Sequence, residues 1–209
     1  PDLSPILDIL EEQGDEIFRD ADSIALEIDM DKEIVKRVFA FAEKYHKPVF
    51  AVVSNMSIAV ERRDFLRSCA CFVCNQQEAG ILFSEDYEGK TPAELETVLS
   101  HHVQAAALPG IVVTMGEQGA VYATLDGERG WCPAKRVDVK DTTGAGDAFF
   151  AGVTMGLTYG KTLAESCTIG ARLAASVICT SENVCPRFLP SEFGLKAPDS
   201  DDGQLALEL

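Results

Sequence analysis

The chain has 209 residues, 46% of them hydrophobic, and carries 34 acidic against 18 basic side chains, a net charge of −16. That length allows a substantial core, most simply built as one domain. The charge, with twelve acids among the first 33 positions, argues against nucleic acid or an anionic membrane as partner, and no apolar run approaches the roughly 20 residues that span a bilayer.

No charged-then-apolar leader opens the chain, so nothing points to export. The first residue is Pro1 rather than Met, and the natural start is expected to lie upstream or to have been removed. Seven cysteines, an odd number without secretory context, predict reduced thiols and a cytoplasmic protein.

In chain order, short apolar runs alternate with amphipathic helices, the pattern of a mostly parallel α/β sheet. Ser4-Pro5 predicts a helix start, with Ser4 as cap and Pro5 in the first turn. Ser23–Ile28 reads as a strand. Residues 31–45 read as a helix that buries Ile34, Val35, Val38, Phe39 and Ala42 at helical spacing. Pro48–Val53 is a second strand and residues 58–67 a further helix. Cys71–Cys74 is a short buried strand leading into Asn75-Gln-Gln-Glu78. Cys69-x-Cys71-x-x-Cys74 has a superficial metal spacing, but it falls in that apolar run without a partner Cys/His pair, where thiols act as small hydrophobes.

Thr91-Pro-Ala-Glu94 is a capping box opening a helix to about His102. Residues 111–115 form a strand ending at Gly116-Glu-Gln-Gly119, before a hairpin of 120–125 and 129–132 turned at Asp126-Gly127. A helix over 144–159 and a second opened by the box Thr162…Glu165 complete the pattern. His101 and His102 read as solvated helix-end residues, and Trp131 as a partly buried hairpin residue. Residues 1–196 are expected to form one α/β domain, and 197–209 a disordered tail.

The most informative stretch is Asp141-Thr-Thr-Gly-Ala-Gly-Asp-Ala-Phe-Phe-Ala-Gly152. It places Gly144-Ala145-Gly146 where a loop becomes a helix and a carboxylate, Asp147, directly after. A helix N-terminus offers unpaired N–H groups and about half a positive charge, which attract phosphate. Glycines let the backbone approach an anion closely, and an adjacent acid can take a proton from an attacking hydroxyl. A dinucleotide fingerprint would need a third glycine where Phe149 stands and would follow the first strand of its unit. A P-loop would need Gly-Lys-Ser/Thr, which does not follow.

The whole string resembles the C-terminal signature of the ribokinase-like (PfkB) carbohydrate kinases. Val112-Val-Thr-Met-Gly116-Glu-Gln-Gly119 resembles the family's strand and turn bordering the nucleotide, and Asn75-Gln-Gln-Glu78 its Asn-x-x-Glu element. The resemblance implies a three-layer α/β/α fold with a mostly parallel central sheet, and transfer of the γ-phosphoryl group of ATP to a hydroxyl of a sugar or nucleoside. Asp147 would be the base, Gly144 would belong to the same catalytic turn, and the amides of Ala145, Gly146 and Asp147 would stabilise the transferred group. Thr114, Gly116, Gly119 and Asn183 would border ATP, with Asn183 near adenine. Asn75 and Glu78 would organise Mg²⁺ through water; read from the residues alone, the same pair is a capped helix start. Asp141 and Thr143 would lie by a monovalent cation such as K⁺.

The resemblance covers only the C-terminal two-thirds of the family's domain. The N-terminal strands, the β-lid and the motifs that hold the sugar are expected to be absent from this chain, which then needs the missing segment or a homodimer partner. Ser54 stands where many members have an acid after the second strand, a layout resembling the pseudouridine-kinase branch. The rival readings are a non-catalytic nucleotide-binding or regulatory module of the same fold, and a Rossmann dehydrogenase.

Overall fold

The computed structural model describes residues 3–61, 63–180 and 188–195. The chain divides into two compact units, Pro1–Arg136 and Val137–Leu209. In the first unit, α1 (Ser4–Asp20), β1 (Ile24–Glu27), α2 (Lys32–Tyr45), β2 (Val49–Val52), α3 (Met56–Glu61), α4 (Arg63–Ser68), β3 (Cys71–Asn75), α5 (Gln76–Phe83), α6 (Pro92–Ala106), β4 (Gly110–Thr114), β5 (Ala120–Thr124) and β6 (Arg129–Cys132) follow in order. The strands form one sheet in the order β1-β2-β3-β4-β5-β6. β1 to β4 run parallel, and β5 and β6 return as an antiparallel hairpin.

Side chains alternate across a strand, so one face collects every second residue. Leu26, Ala51, Phe72, Ile111, Val113 and Val121 all enter the main core cluster, beneath Phe18 of α1, Val35 of α2, Leu66 of α4 and Leu95 and Leu99 of α6. β3 is buried at Cys71, Phe72, Val73 and Cys74, which accounts for its unbroken apolar run. The thiols there are inert: burial pushes Cys71 up to about 12 and Cys74 well above its usual value.

Local signals set the helix ends. Asp31 Oδ1 accepts from the Glu33 and Ile34 N–H groups at the start of α2, and His46 ends it in the left-handed region at φ 53°. Thr91 and Glu94 close a reciprocal box on α6, as expected.

Four expectations are corrected. The N-cap of α1 is Leu3, with Ser4 already helical and no side-chain cap bond. Two short helices replace the single one expected over 58–67, and the second begins with Asp64 in its first turn, where the helix dipole favours an acid. α6 runs four residues beyond His102 because Val103 is buried in the core and Gln104, Ala105 and Ala106 are strong helix formers. His102 is not solvated like a helix-end residue: its ring stacks on Phe83 at 4.6 Å and its Nε2 lies 3.1 Å from Glu85 Oε1.

The second unit holds α7 (Ala145–Thr158) and α8 (Leu163–Ile178). They pack through small residues: a Cβ on Gly152 would lie 2.6 Å from the Gly170 Cα, so glycine is what lets the two backbones approach this closely. Ile169, Leu173 and Leu195 form a small core, and Arg172 lies over the Phe193 ring at 4.2 Å while bonding the Glu192 carbonyl. No helix among the described residues is long and apolar enough to cross a membrane.

Candidate functional site

In the first unit, the expected site residues gather at the carboxyl ends of the parallel strands, where ligands bind in open α/β sheets. Asn75 ends β3 and pairs in register with Thr114 at the end of β4. Thr114 Oγ1 donates to the Cys74 carbonyl at 3.4 Å. A cavity of about 930 Å³ opens here, lined by Asn75, Gln76, Thr114, Gly116 and the returning loop Ser84–Gly89. Its lining includes Glu85, Asp86 and Glu88 and no lysine or arginine among the described residues.

Asn75 and Glu78 form a reciprocal capping box. The Glu78 N–H donates to Asn75 Oδ1 at 2.9 Å, and the Asn75 N–H donates to Glu78 Oε2 at 2.7 Å. The side chains first expected to steer a cation therefore also start α5. The box leaves Glu78 Oε1 and the second lone pair of Asn75 Oδ1 as hard oxygen donors, a set that suits a hydrated magnesium ion. Burial raises the Glu78 carboxyl above its ordinary value, and the Asp29 charge adds to this.

A second acidic group escaped the sequence reading. Glu27 ends β1, and Ser54, just past β2, donates to Glu27 Oε1 at 2.7 Å. Asp29 lies beside them with its Oδ1 buried and unpartnered among the described residues. Burial first, then the neighbouring Glu27, raises the Asp29 carboxyl. The available signal was position: an acid that ends a parallel strand, and another two residues beyond it, lie at the ligand-binding end of the sheet.

The turn after β4 is a short 3₁₀ segment, Gly116–Gln118. Gly119 stands at φ 98°, and a Cβ there would lie 2.0 Å from the Cys132 carbonyl oxygen, so only glycine fits. The glycine first assigned to nucleotide contact thus has a packing reason as well.

In the second unit, Asp141 and Thr143 shape the approach to α7. Asp141 Oδ1 accepts from the Thr143 N–H at 2.9 Å and the Thr143 hydroxyl at 2.8 Å, and these bonds, the backbone one first, hold its carboxyl below the usual range. Gly144 is the N-cap of α7 at φ 79°, ψ −3°, a left-handed conformation that favours glycine. The Ala145 N–H donates to the Thr142 carbonyl, and the Ala148 N–H to the Gly144 carbonyl. The amides of Gly146 and Asp147, between them, have no acceptor among the described residues. Asp147 is an exposed residue of the first turn. A Cβ on Gly146 would meet no atom of the described residues within 4 Å.

The first unit thus brings Asn75, Thr114 and Gly116 to one cavity and ties Glu78 to Asn75. Asp141, Thr143, Gly144, Ala145, Gly146 and Asp147 form one continuous stretch of the second unit. Asn183 lies outside the described residues, as does the tail expected over 197–209.

A loop-to-helix turn with an acid in the first turn of α7, and a capped Asn-x-x-Glu at a parallel-strand end, stand in an α/β protein with a mostly parallel sheet. The sequence profile of the pfkB family carbohydrate kinases matches residues 9–186, and the chain belongs to that family. It is 34% identical over 163 residues to a guanosine-inosine kinase of Exiguobacterium acetylicum, covering 78% of this chain and 53% of that protein. It is 30% identical over 119 residues to the pseudouridine kinase of Escherichia coli, covering 57% and 37%. The ribokinase of Arabidopsis thaliana, solved with ribose and ATP, superposes with a TM-score of 0.71 at 22% identity, over 81% of this chain and 54% of that one. The fold is therefore ribokinase-like α/β. The chain spans about half the length of the curated relatives it matches first.

Proposed function

We propose that the full-length protein is an ATP-dependent kinase that transfers the γ-phosphoryl group to a hydroxyl of a nucleoside or sugar. The observation that carries this reading is the start of α7, where two consecutive amides without acceptors among the described residues adjoin an exposed carboxylate on the same first turn. Such amides stabilise charge developing on phosphoryl oxygens, and they need no reorganisation as the reaction proceeds. Asp147 takes the proton of the acceptor hydroxyl as its oxygen forms the bond to phosphorus. The bond from phosphorus to the β–γ bridging oxygen breaks, and ADP leaves with that electron pair.

Thr114, Gly116 and Gly119 border the nucleotide, and Asn183 is assigned to adenine. Asn75 and Glu78 would hold hydrated Mg²⁺, which supplies charge neutralisation at the phosphates. Such neutralisation is needed beside Glu85, Asp86 and Glu88. Asp141 and Thr143, with nearby carbonyl oxygens, would hold K⁺. For the acceptor we favour a nucleoside over a free sugar, pseudouridine among the candidates, because the match to a guanosine-inosine kinase reaches 34% over 163 residues. We assign residues 1–196 to the nucleotide-binding part. The remaining acceptor contacts come from a further segment or from a second copy in a homodimer, and the buried thiols suit the cytoplasm.

Replacing Asp147 by Asn keeps the shape and removes the base. The full-length variant should lose roughly 10²–10⁴ in kcat while its affinity for ATP stays nearly unchanged. Near-normal turnover would sink the assignment.

A further inference from the structure

Trp131 is the single tryptophan of the chain, and it is 49% exposed on the edge strand β6. A tryptophan held for its apolar bulk would be expected to bury more of its ring. Its orientation is nevertheless defined: the indole N–H donates to the Gln118 carbonyl at 2.7 Å. Gln118 belongs to the turn whose Gly116 lines the cavity.

The other bonds of this turn are internal. The Met115 N–H donates to the Gly119 carbonyl, the Gln118 N–H to the Met115 carbonyl, and the Gly119 N–H to the Gly116 carbonyl. The amides of Gly116 and Glu117 have no acceptor among the described residues. Met115 stands at φ −124°, ψ 30° and Gly116 at φ 56°, so the backbone turns sharply just before these two amides. A turn closed only on itself can rock about its flanking strands. A bond from β6 to its third residue removes that freedom.

We infer that Trp131 is a positioning residue for the nucleotide-binding turn, acting through the Gln118 carbonyl rather than by touching the reacting atoms. The inference rests on the kinase reading of this cavity. It assigns to Trp131 a share of nucleotide affinity and none of the chemical step.

The test uses the full-length protein and the Trp131→Phe variant, which keeps a six-membered aromatic ring and removes the indole N–H donor. Steady-state kinetics should show KM for ATP raised about 3- to 10-fold, the effect of losing one neutral hydrogen bond. kcat should stay within about twofold and KM for the acceptor should not change. In the parent protein, Mg-ATP should produce a saturable fluorescence change, at concentrations matching its KM, that Trp131→Phe lacks. A merely structural role would lower the melting temperature without separating the two KM values. If the parent turns over ATP and Trp131→Phe has the same KM for ATP, the inference is overturned and the kinase reading stands. If the parent neither binds nor turns over ATP, the kinase reading fails and this inference fails with it.

Discussion

Gly146 and Asp29 are two positions at which the fold does not call for the residue present. Gly146 is in the first turn of α7 with no atom of the described residues within 4 Å of where a Cβ would stand, and its φ is not positive. Nothing among the described residues therefore requires glycine there, and helix propensity favours alanine by up to about 1 kcal/mol. Gly146→Ala should leave the urea midpoint unchanged or raise it, while cutting kcat/KM for ATP by about tenfold or more because the methyl blocks close approach of a phosphate. Equal losses of stability and activity would mean that the glycine serves the fold instead.

Asp29 also costs the fold stability, here through a buried charge. Its folded carboxyl is raised above the unfolded value, chiefly by burial. The stability linked to such a group is present below the unfolded value, about 3.9, and is lost as pH rises through the folded one. Asp29→Asn, which mimics the protonated form, should therefore melt higher than the parent at pH 7. The two melting curves should converge as pH falls below about 4. A variant that melts lower at pH 7 would contradict this account of the acidic cluster.

At the scale of elements, capping chemistry carried much of what the sequence disclosed. Thr162 and Glu165 form the expected box at the start of α8, with the Glu165 N–H on Thr162 Oγ1 at 3.2 Å and the Thr162 N–H on Glu165 Oε2 at 2.9 Å. Thr162→Ala should cost about 1 kcal/mol in chemical denaturation, with an unchanged dependence on denaturant. No loss would show that packing of α8 against α7 sets the helix start without the cap.

The same local logic explains the strengths and gaps of the sequence reading. The parallel run β1 to β4 was legible because each strand is a short apolar block between helical periods. The signature at Asp141–Asp147 was legible because its glycines and acid are contiguous. The Glu27–Ser54 bond and the Trp131–Gln118 bond were not, since each joins residues on neighbouring segments that only the sheet brings together. The break between α3 and α4 was missed for a related reason, because the apolar spacing across residues 58–67 fits one helix as well as two.

At the scale of the molecule, a net charge of −16 and a cavity lined by Glu85, Asp86 and Glu88 set the long-range field against an anionic nucleotide. Affinity for Mg-ATP must then come from short-range contacts with backbone amides and the cation. Raising ionic strength from about 0.01 M to 0.15 M with a salt of a large organic cation shortens the screening length from roughly 30 to 8 Å. Under that change kcat/KM for ATP should rise. A fall would mean that attraction from basic groups, not local amides, captures the nucleotide.

The central claim is that this chain carries the phosphoryl-transfer half of a kinase. The most direct test is transfer of label from γ-labelled ATP by the full-length protein, with Mg²⁺ and K⁺, to pseudouridine, guanosine, inosine, ribose and fructose. The account predicts a labelled phosphomonoester with at least one nucleoside and its loss in Asp147→Asn. No labelled product from any acceptor, or undiminished label in Asp147→Asn, would contradict it.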